Sequence, residues 1–309
     1  MRRSVVCGLY PSNLSKEVGN FCRPLGKKDQ LPYSSKMKRL IVWKLGVLMA
    51  AMGIDGATAA PSIRAHEATY VMTQVRQYSQ QSRDSFLIRA DGVLKYRFEK
   101  TCEGWLVDHQ NVLLMKTQDN HQIQVLSSYT SLESFDGSSL QFRGQEERTT
   151  NDQAPVLETI KGWAKRTPDH VAVTFTAPQS LSFQLPGDTA FPTSHLLEAL
   201  ERASEAAYVF GGPYFDGSDV NNQFKADTVV IPSQPMAAMT FDQTVLEEAP
   251  TWMLNLSFYP LNDPSSVPSL EIGARYRKDG VALQLRQDFG DLVVEGALKK
   301  FTYLPEPRC

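Results

Sequence analysis

From about residue 60 to the end, apolar and polar residues alternate with a period of two, and a chain patterned that way buries a face only as strands. Trp252, Leu254, Leu256 and Phe258 take every second position of one run. Leu270, Ile272, Ala274 and Tyr276 do the same up to Asp279-Gly280, and Val281, Leu283 and Leu285 continue beyond it. Phe86–Ala90 and Val93–Phe98 flank Asp91-Gly92 in the same manner. An Asp-Gly pair between two such runs signals a hairpin, because both turn residues must tolerate positive φ. Turns are therefore expected at 91–92 and 279–280. Further strands are expected over 68–76, 121–129, 139–144, 171–176, 180–185, 225–231 and 291–304. Phe-Asp-Gly-Ser occurs twice, at 135–138 and 215–218, and reads as reused turn chemistry, too short for a repeat.

One segment breaks the alternation. After Phe191-Pro192, residues Leu196, Leu200, Ala203 and Ala207 recur at helical spacing, with Glu198, Glu201 and Glu205 off that face. This predicts one main helix over about 193–208, capped by Thr193 or Ser194 and ended by Phe210-Gly211-Gly212-Pro213. A weaker helix is expected over 154–164. No linker divides the body, and the Pro-rich stretches 232–235 and 260–268 read as loops. The expectation is a mainly β fold, a single domain over 60–309 built on one antiparallel sheet of a dozen or more strands. Such a sheet must curl or close to protect its edges. The helix then packs on a sheet face or plugs an opening.

The N-terminal region has a different character. From Met37 the chain carries Lys38, Arg39 and Lys44, an apolar run from Leu45 to Ile54, and then Ala57-Thr58-Ala59. A positive segment, an apolar segment and a small-residue site in that order make a secretory signal peptide over 37–59, cut near Ala59. The apolar run is too short to span a bilayer, which takes roughly 20 residues. A signal peptide should open the translated chain, so residues 1–36 are expected to be a leader outside it, with translation starting at Met37. No cysteine stands near the cut, so no lipid attachment is expected there.

Charge follows the same division. Of 32 Lys and Arg and 34 Asp and Glu, ten and three lie in residues 1–59, leaving 22 and 31 in the body. A body at about −9 is a poor match for nucleic acid or an anionic membrane, although a small local basic patch is compatible with it.

Removal of the N-terminal segment takes Cys7 and Cys22 with it and leaves Cys102 and Cys309. In an oxidising periplasm a lone pair usually becomes a disulfide. Two unpaired thiols are the alternative, and a zinc site would have only half of a structural ligand set. No Cys-x-x-Cys marks a redox role.

Catalytic signals are sparse. There is no G-x-S-x-G, no Walker loop and no dinucleotide fingerprint. His66, His109, His121, His170 and His195 show no His-x-His or H-E-x-x-H spacing, so no metal or other cofactor is expected. His195, in the first turn of the helix, either meets a ligand in a cleft or faces solvent or a nearby carbonyl. Asp216 and Asp219 with Ser218 faintly resemble a calcium loop but lack its ligand pattern, and a solvated turn is the better reading. Trp105, Trp163 and Trp252 either line an apolar pocket or pack the core.

Several segments then combine. Cys102-Glu103-Gly104-Trp105 follows a strand holding Tyr96 and Phe98. Phe191-Pro192-Thr193-Ser194-His195 opens the helix, Tyr214-Phe215-Asp216-Gly217-Ser218 follows it, and Asp288-Phe289-Gly290-Asp291 ends the late hairpin before a terminal cysteine. In this order, over roughly residues 65–309, they resemble the EipB family of cell envelope integrity proteins. The resemblance implies one antiparallel sheet wound into a spiral, an unclosed barrel, with Cys102 and Cys309 as the family's disulfide pair. The strand pattern places Cys102 just after an early hairpin and Cys309 after the last strand, so the bond is expected to clamp the free C-terminal end onto an early strand and secure the loose end of the spiral. It also implies a non-enzymatic periplasmic role in envelope integrity and stress resistance, exercised by binding an envelope protein, lipid or cell-wall component. A carrier for a lipid or other hydrophobic ligand is the alternative. An envelope-polymer hydrolase built on His195 with Asp216 or Asp219 is the least favoured.

Overall fold

The computed structural model describes residues 63–75, 87–151, 153–203, 208–220, 223–261, 267–290 and 292–309. The expected leader and signal peptide lie outside the described residues. Sixteen strands and one helix follow in order. They are β1 His66–Gln74, β2 Leu87–Lys100, β3 Gly104–Thr117, β4 Gln122–Ser134, β5 Ser139–Thr150, β6 Val156–Arg166, β7 His170–Ala177, β8 Leu181–Pro186 and α1 Pro192–Ala203. Then come β9 Tyr208–Tyr214, β10 Phe224–Ser233, β11 Met239–Phe241, β12 Thr244–Leu246, β13 Thr251–Pro260, β14 Leu270–Arg277, β15 Ala282–Asp288 and β16 Val293–Tyr303.

Fourteen of the strands form one antiparallel sheet in the order β8-β7-β6-β5-β4-β3-β2-β1-β16-β15-β14-β13-β10-β9. The sheet nearly closes as a barrel and leaves an unsealed seam between its edges, β8 and β9. These edges are consecutive strands of the chain, and α1 lies between them in sequence. The first and last strands of the described body, β1 and β16, pair with each other in the middle of the sheet. The expectation that Cys309 secures a loose end of the sheet is therefore corrected. Antiparallel pairing of sequence neighbours places the first and last described strands at the centre and the mid-chain strands at the edges.

The seam is held by other means. Arg166, at the end of β6, donates to the backbone carbonyls of Gly137, Gly187 and Thr189 and stacks over the Phe191 ring at 5.2 Å. It thereby fixes the segment between β8 and α1. Ala190 in that segment makes a parallel bridge to Tyr214 of β9, with its N–H on the Pro213 carbonyl at 2.8 Å and its carbonyl accepting from Phe215 at 3.0 Å. The helix packs inside, against β9 and β10. It buries Thr193, His195, Ala199, Leu200 and Ala203 into a core with Ile63, Phe98, Val230, Trp252 and Leu254.

Three local expectations are overturned. Asp91-Gly92 makes no turn: β2 runs straight through it, with Gly92 paired to Met72 on one side and Leu113 on the other. Residues 154–164 are not helical, because β6 occupies them and pairs with β5 and β7. The main helix is shorter than 193–208; it ends at Ala203 within the described residues, and Tyr208 already belongs to β9, which runs through Phe210-Gly211-Gly212-Pro213. The other Asp-Gly pairs among the described residues do turn, with φ of 64° at Gly137, 76° at Gly217 and 81° at Gly280. In both Phe-Asp-Gly-Ser segments the Asp carboxylate accepts the Ser N–H, at 3.0 Å for Asp136 and 2.9 Å for Asp216.

Candidate functional site

Strand alternation sends every second side chain into the lumen, and the register fixes which of them share a level. Across β3 to β6, starting from the level next to Glu133, one inward row holds Val107, Ser131, Phe142 and Gly162. The next holds His109, Tyr129, Gly144 and Ile160, and the one after it Asn111, Ser127, Glu146 and Glu158. The lumen thus turns from apolar near the helix to polar two rows away. The polar rows line a cavity of about 440 Å³, which Met72 of β1, Leu94 of β2 and Gln287 of β15 also border.

Close packing shapes this cavity. The Tyr129 ring stacks on His109 with centroids 5.2 Å apart, and its hydroxyl donates to the Asp216 carbonyl. Gly144 leaves room for that ring, since a Cβ there would stand 3.2 Å from it. The segment after β9 is pressed into the lumen at Gly217, where a Cβ would fall 2.4 Å from the Phe142 ring and where φ is positive as well. Ser218, next along, borders the cavity.

The chemistry here is that of hydrogen bonding. Burial pushes the His109 pKa below its ordinary 6.5, against the pull of Asp108 and Asp216, so the ring is neutral at pH 7 and offers one donor and one acceptor. Glu146 accepts from Arg148 at 2.9 Å, whereas Glu158, directly across the ladder, has no cationic partner among the described residues. His109, Asn111, Ser127 and Gln287 make no side-chain hydrogen bond to a described residue. Their bonding capacity is left for water or a ligand.

The residues singled out from the sequence do not gather at this cavity. His195 is 6% exposed, and its Nε2 lies 2.7 Å from the hydroxyl of the fully buried Thr228. Phe210 and Tyr214 pack against its ring at 4.9 and 5.5 Å. It therefore faces neither solvent nor a carbonyl, and burial pushes its pKa down to about 4. The carboxylate of Asp216 is engaged in its own turn. The three tryptophans share no pocket: Trp252 is buried beside α1, Trp105 stacks on Phe98 at 5.3 Å, and Trp163 points outward. Cys102 and Cys309 are bonded, with Cα atoms 5.7 Å apart. Among the described residues no group of three His, Cys, Asp or Glu is placed to hold a metal.

Two features escaped the sequence reading. The polar interruption of an inward face, at His109 and Asn111 on β3 and at Glu146 on β5, is visible in alternation once the face is known. Glu133, an acidic residue 1% exposed, carries no such signal, because its partners lie on α1.

Comparison with known proteins agrees with this architecture. The family model for EipB-like proteins matches residues 57–305. The cell envelope integrity protein EipB of Brucella abortus (strain 2308) is 25% identical over 262 residues, which cover 82% of this chain and 90% of that protein. The crystal structure of a β-barrel-like protein of a domain of unknown function, DUF1849, from Brucella abortus matches with a TM-score of 0.68 at 20% identity. That match covers 79% of this chain and 99% of the other, and it shows a shared fold. Matched from residue 57 to residue 305, the chain belongs to the EipB-like family.

Proposed function

We propose that this protein is exported to the periplasm and supports envelope integrity and stress resistance without catalysing a reaction, by binding another envelope component. The name of the Brucella relative supports the envelope role. Export is supported by the family match, which begins at Ala57, inside the small-residue site where the signal peptide is expected to be cut. The bonded Cys102 and Cys309 suit an oxidising compartment. Among the described residues no helix is long and apolar enough to cross a membrane.

One observation carries the binding reading: a lumen bordered by His109, Asn111, Ser127 and Glu158, none of which makes a side-chain hydrogen bond or ion pair to a described residue. Such a lining suits a hydrogen-bonding ligand or headgroup better than an alkyl tail. The carrier of a hydrophobic ligand is therefore the second reading, favoured by Met72, Leu94, Ile160 and Phe289 at the same cavity. A deletion strain should lose tolerance of detergent and of cell-wall antibiotics, and the intact gene should restore it. A variant with His109→Leu and Asn111→Leu, present at normal level and folded, should fail to restore it. Parent-like tolerance in the deletion strain sinks the envelope role; full rescue by the variant sinks the cavity.

A further inference from the structure

We propose that the outer face of the sheet carries a second binding site, for an acidic saccharide, centred on Trp163. On several strands a cation and a carboxylate pair: Arg97 with Glu67 and Glu99, Arg286 with Glu295 and Asp288, Lys225 with Asp227, Arg89 with Asp91. Arg143 of β5 and Lys161 and Lys165 of β6 are without such a pair, as are Lys95, Lys116, Lys299 and Lys300 on other strands, but these three gather at one groove around Trp163. No carboxylate lies within ion-pairing distance of them among the described residues. Arg143 and Lys161 stand directly opposite each other across the ladder, and like charges so placed destabilise a sheet. Three uncompensated cations on a body with 31 acidic and 22 basic residues form a local complement to an anion.

Trp163 stands between Lys161 and Lys165 on the same outward face of β6 and is 45% exposed. Its neighbours across the two ladders are Gln141 and Thr174, an amide and a hydroxyl. Leu106 and Leu132 extend the apolar floor, and the groove so formed has a volume of about 620 Å³. A flat apolar plate edged by hydrogen-bonding groups and flanked by cations matches a sugar ring with a C–H face, a hydroxyl rim and carboxylate substituents. Other occupants fit less well. An extended peptide has no place to add, because β3 to β6 are paired on both sides. A bilayer surface is flat where this groove is concave. A long polyanion such as duplex nucleic acid would meet the negative charge of the body around it.

The same strands turn His109 and Glu146 inward and Trp163 and Arg143 outward, so this site stands or falls independently of the lumen. Titration calorimetry of the full protein with trigalacturonic acid, and with neutral maltotriose as control, tests it. Binding of the acidic sugar alone is expected, weakening as salt is raised. Arg143→Gln and Lys161→Gln should each weaken it about threefold, and Trp163→Ala about tenfold, with Trp163→Phe retaining most of it. These side chains are exposed and the paired cations repel each other, so the variants should melt no lower than the parent, and His109→Leu should bind the sugar like the parent. Failure of trigalacturonate to bind at low salt, or binding that survives Lys161→Glu with Arg143→Glu, would overturn the proposal. Binding to vesicles of anionic phospholipid without saccharide binding would overturn it in favour of a membrane surface.

Discussion

The carboxylate of Glu133, on β4, accepts the backbone N–H of Thr193 at 2.7 Å and that of Ser194 at 2.8 Å, so a strand supplies the cap that α1 lacks in its own sequence. Phe191 holds the capping position, since its carbonyl accepts the first helical bond, from His195 at 2.9 Å, but its ring offers no acceptor. The Ser194 hydroxyl also donates to Glu133. Burial pushes this carboxyl's pKa up while the three donors pull it down, and the upward push wins.

Glu133→Ala should therefore loosen the helix and with it the seam. Two amide groups lose their acceptor in a buried place, at a cost of about 2–4 kcal/mol. Glu133→Gln keeps one acceptor oxygen and removes a desolvated charge, so its cost should be about 1 kcal/mol. Chemical denaturation measures both. Hydrogen exchange should show faster opening of α1 and β9 in the alanine variant, and parent-like exchange there would remove Glu133 from its role as a cap.

The disulfide should behave differently. After β16 the chain is anchored by the Leu304 N–H on the Ala65 carbonyl at 2.8 Å, and Glu306 lies 3.7 Å from Lys100. The tail then reaches the turn between β2 and β3, where Cys309 meets Cys102 across 207 residues of sequence. Loop-closure entropy sets a ceiling of about 5 kcal/mol on its stabilisation. Cys102→Ser with Cys309→Ser should lower the denaturation midpoint while leaving amide exchange at β8 and β9 unchanged, because the bond lies in the middle of the sheet. Accelerated exchange confined to β8 and β9 would restore the idea of a clamp on a loose end.

The sheet was legible because alternation is a local property, and the late hairpin at Asp279-Gly280 was legible because its turn chemistry is local too. Asp91-Gly92 has the same two residues and the opposite outcome. A Cβ on Gly92 would lie 2.4 Å from the Val112 carbonyl oxygen, so this glycine serves a close approach of two strands, a reason the sequence does not display. Gly92→Ala should cost about 2–4 kcal/mol, against a few tenths for a glycine that serves only to end a strand. Segment 154–164 was misread for a related reason: its inward side holds Val156, Glu158 and Ile160, a face too polar to show a strand period beside the lumen. Where the site departs from a plain core, the sequence departs from a plain pattern.

Stability in acid should follow Asp279. Arg277 donates to both of its oxygens, at 3.1 and 3.0 Å, and the Tyr303 hydroxyl donates at 2.6 Å, which ties the turn after β14 to the end of β16. Burial pushes the carboxyl pKa up, but these donors outweigh it and hold it below the ordinary 3.8. The folded state then binds the proton more weakly than the unfolded chain. The contribution is complete above pH 3.8 and is lost as the pH falls through the folded value. Glu133 acts in the opposite sense, because a raised carboxyl loses stability as the pH rises from 4.5 toward its folded value. The two effects occupy different windows, with Asp279 read below about pH 4 and Glu133 above it. The parent should lose stability steeply below that point. Asp279→Asn should be weaker at pH 7 by about 3 kcal/mol, since Arg277 stays buried without its partner, and its acid slope should be shallower. An unchanged acid slope in that variant would show that other carboxylates govern the transition.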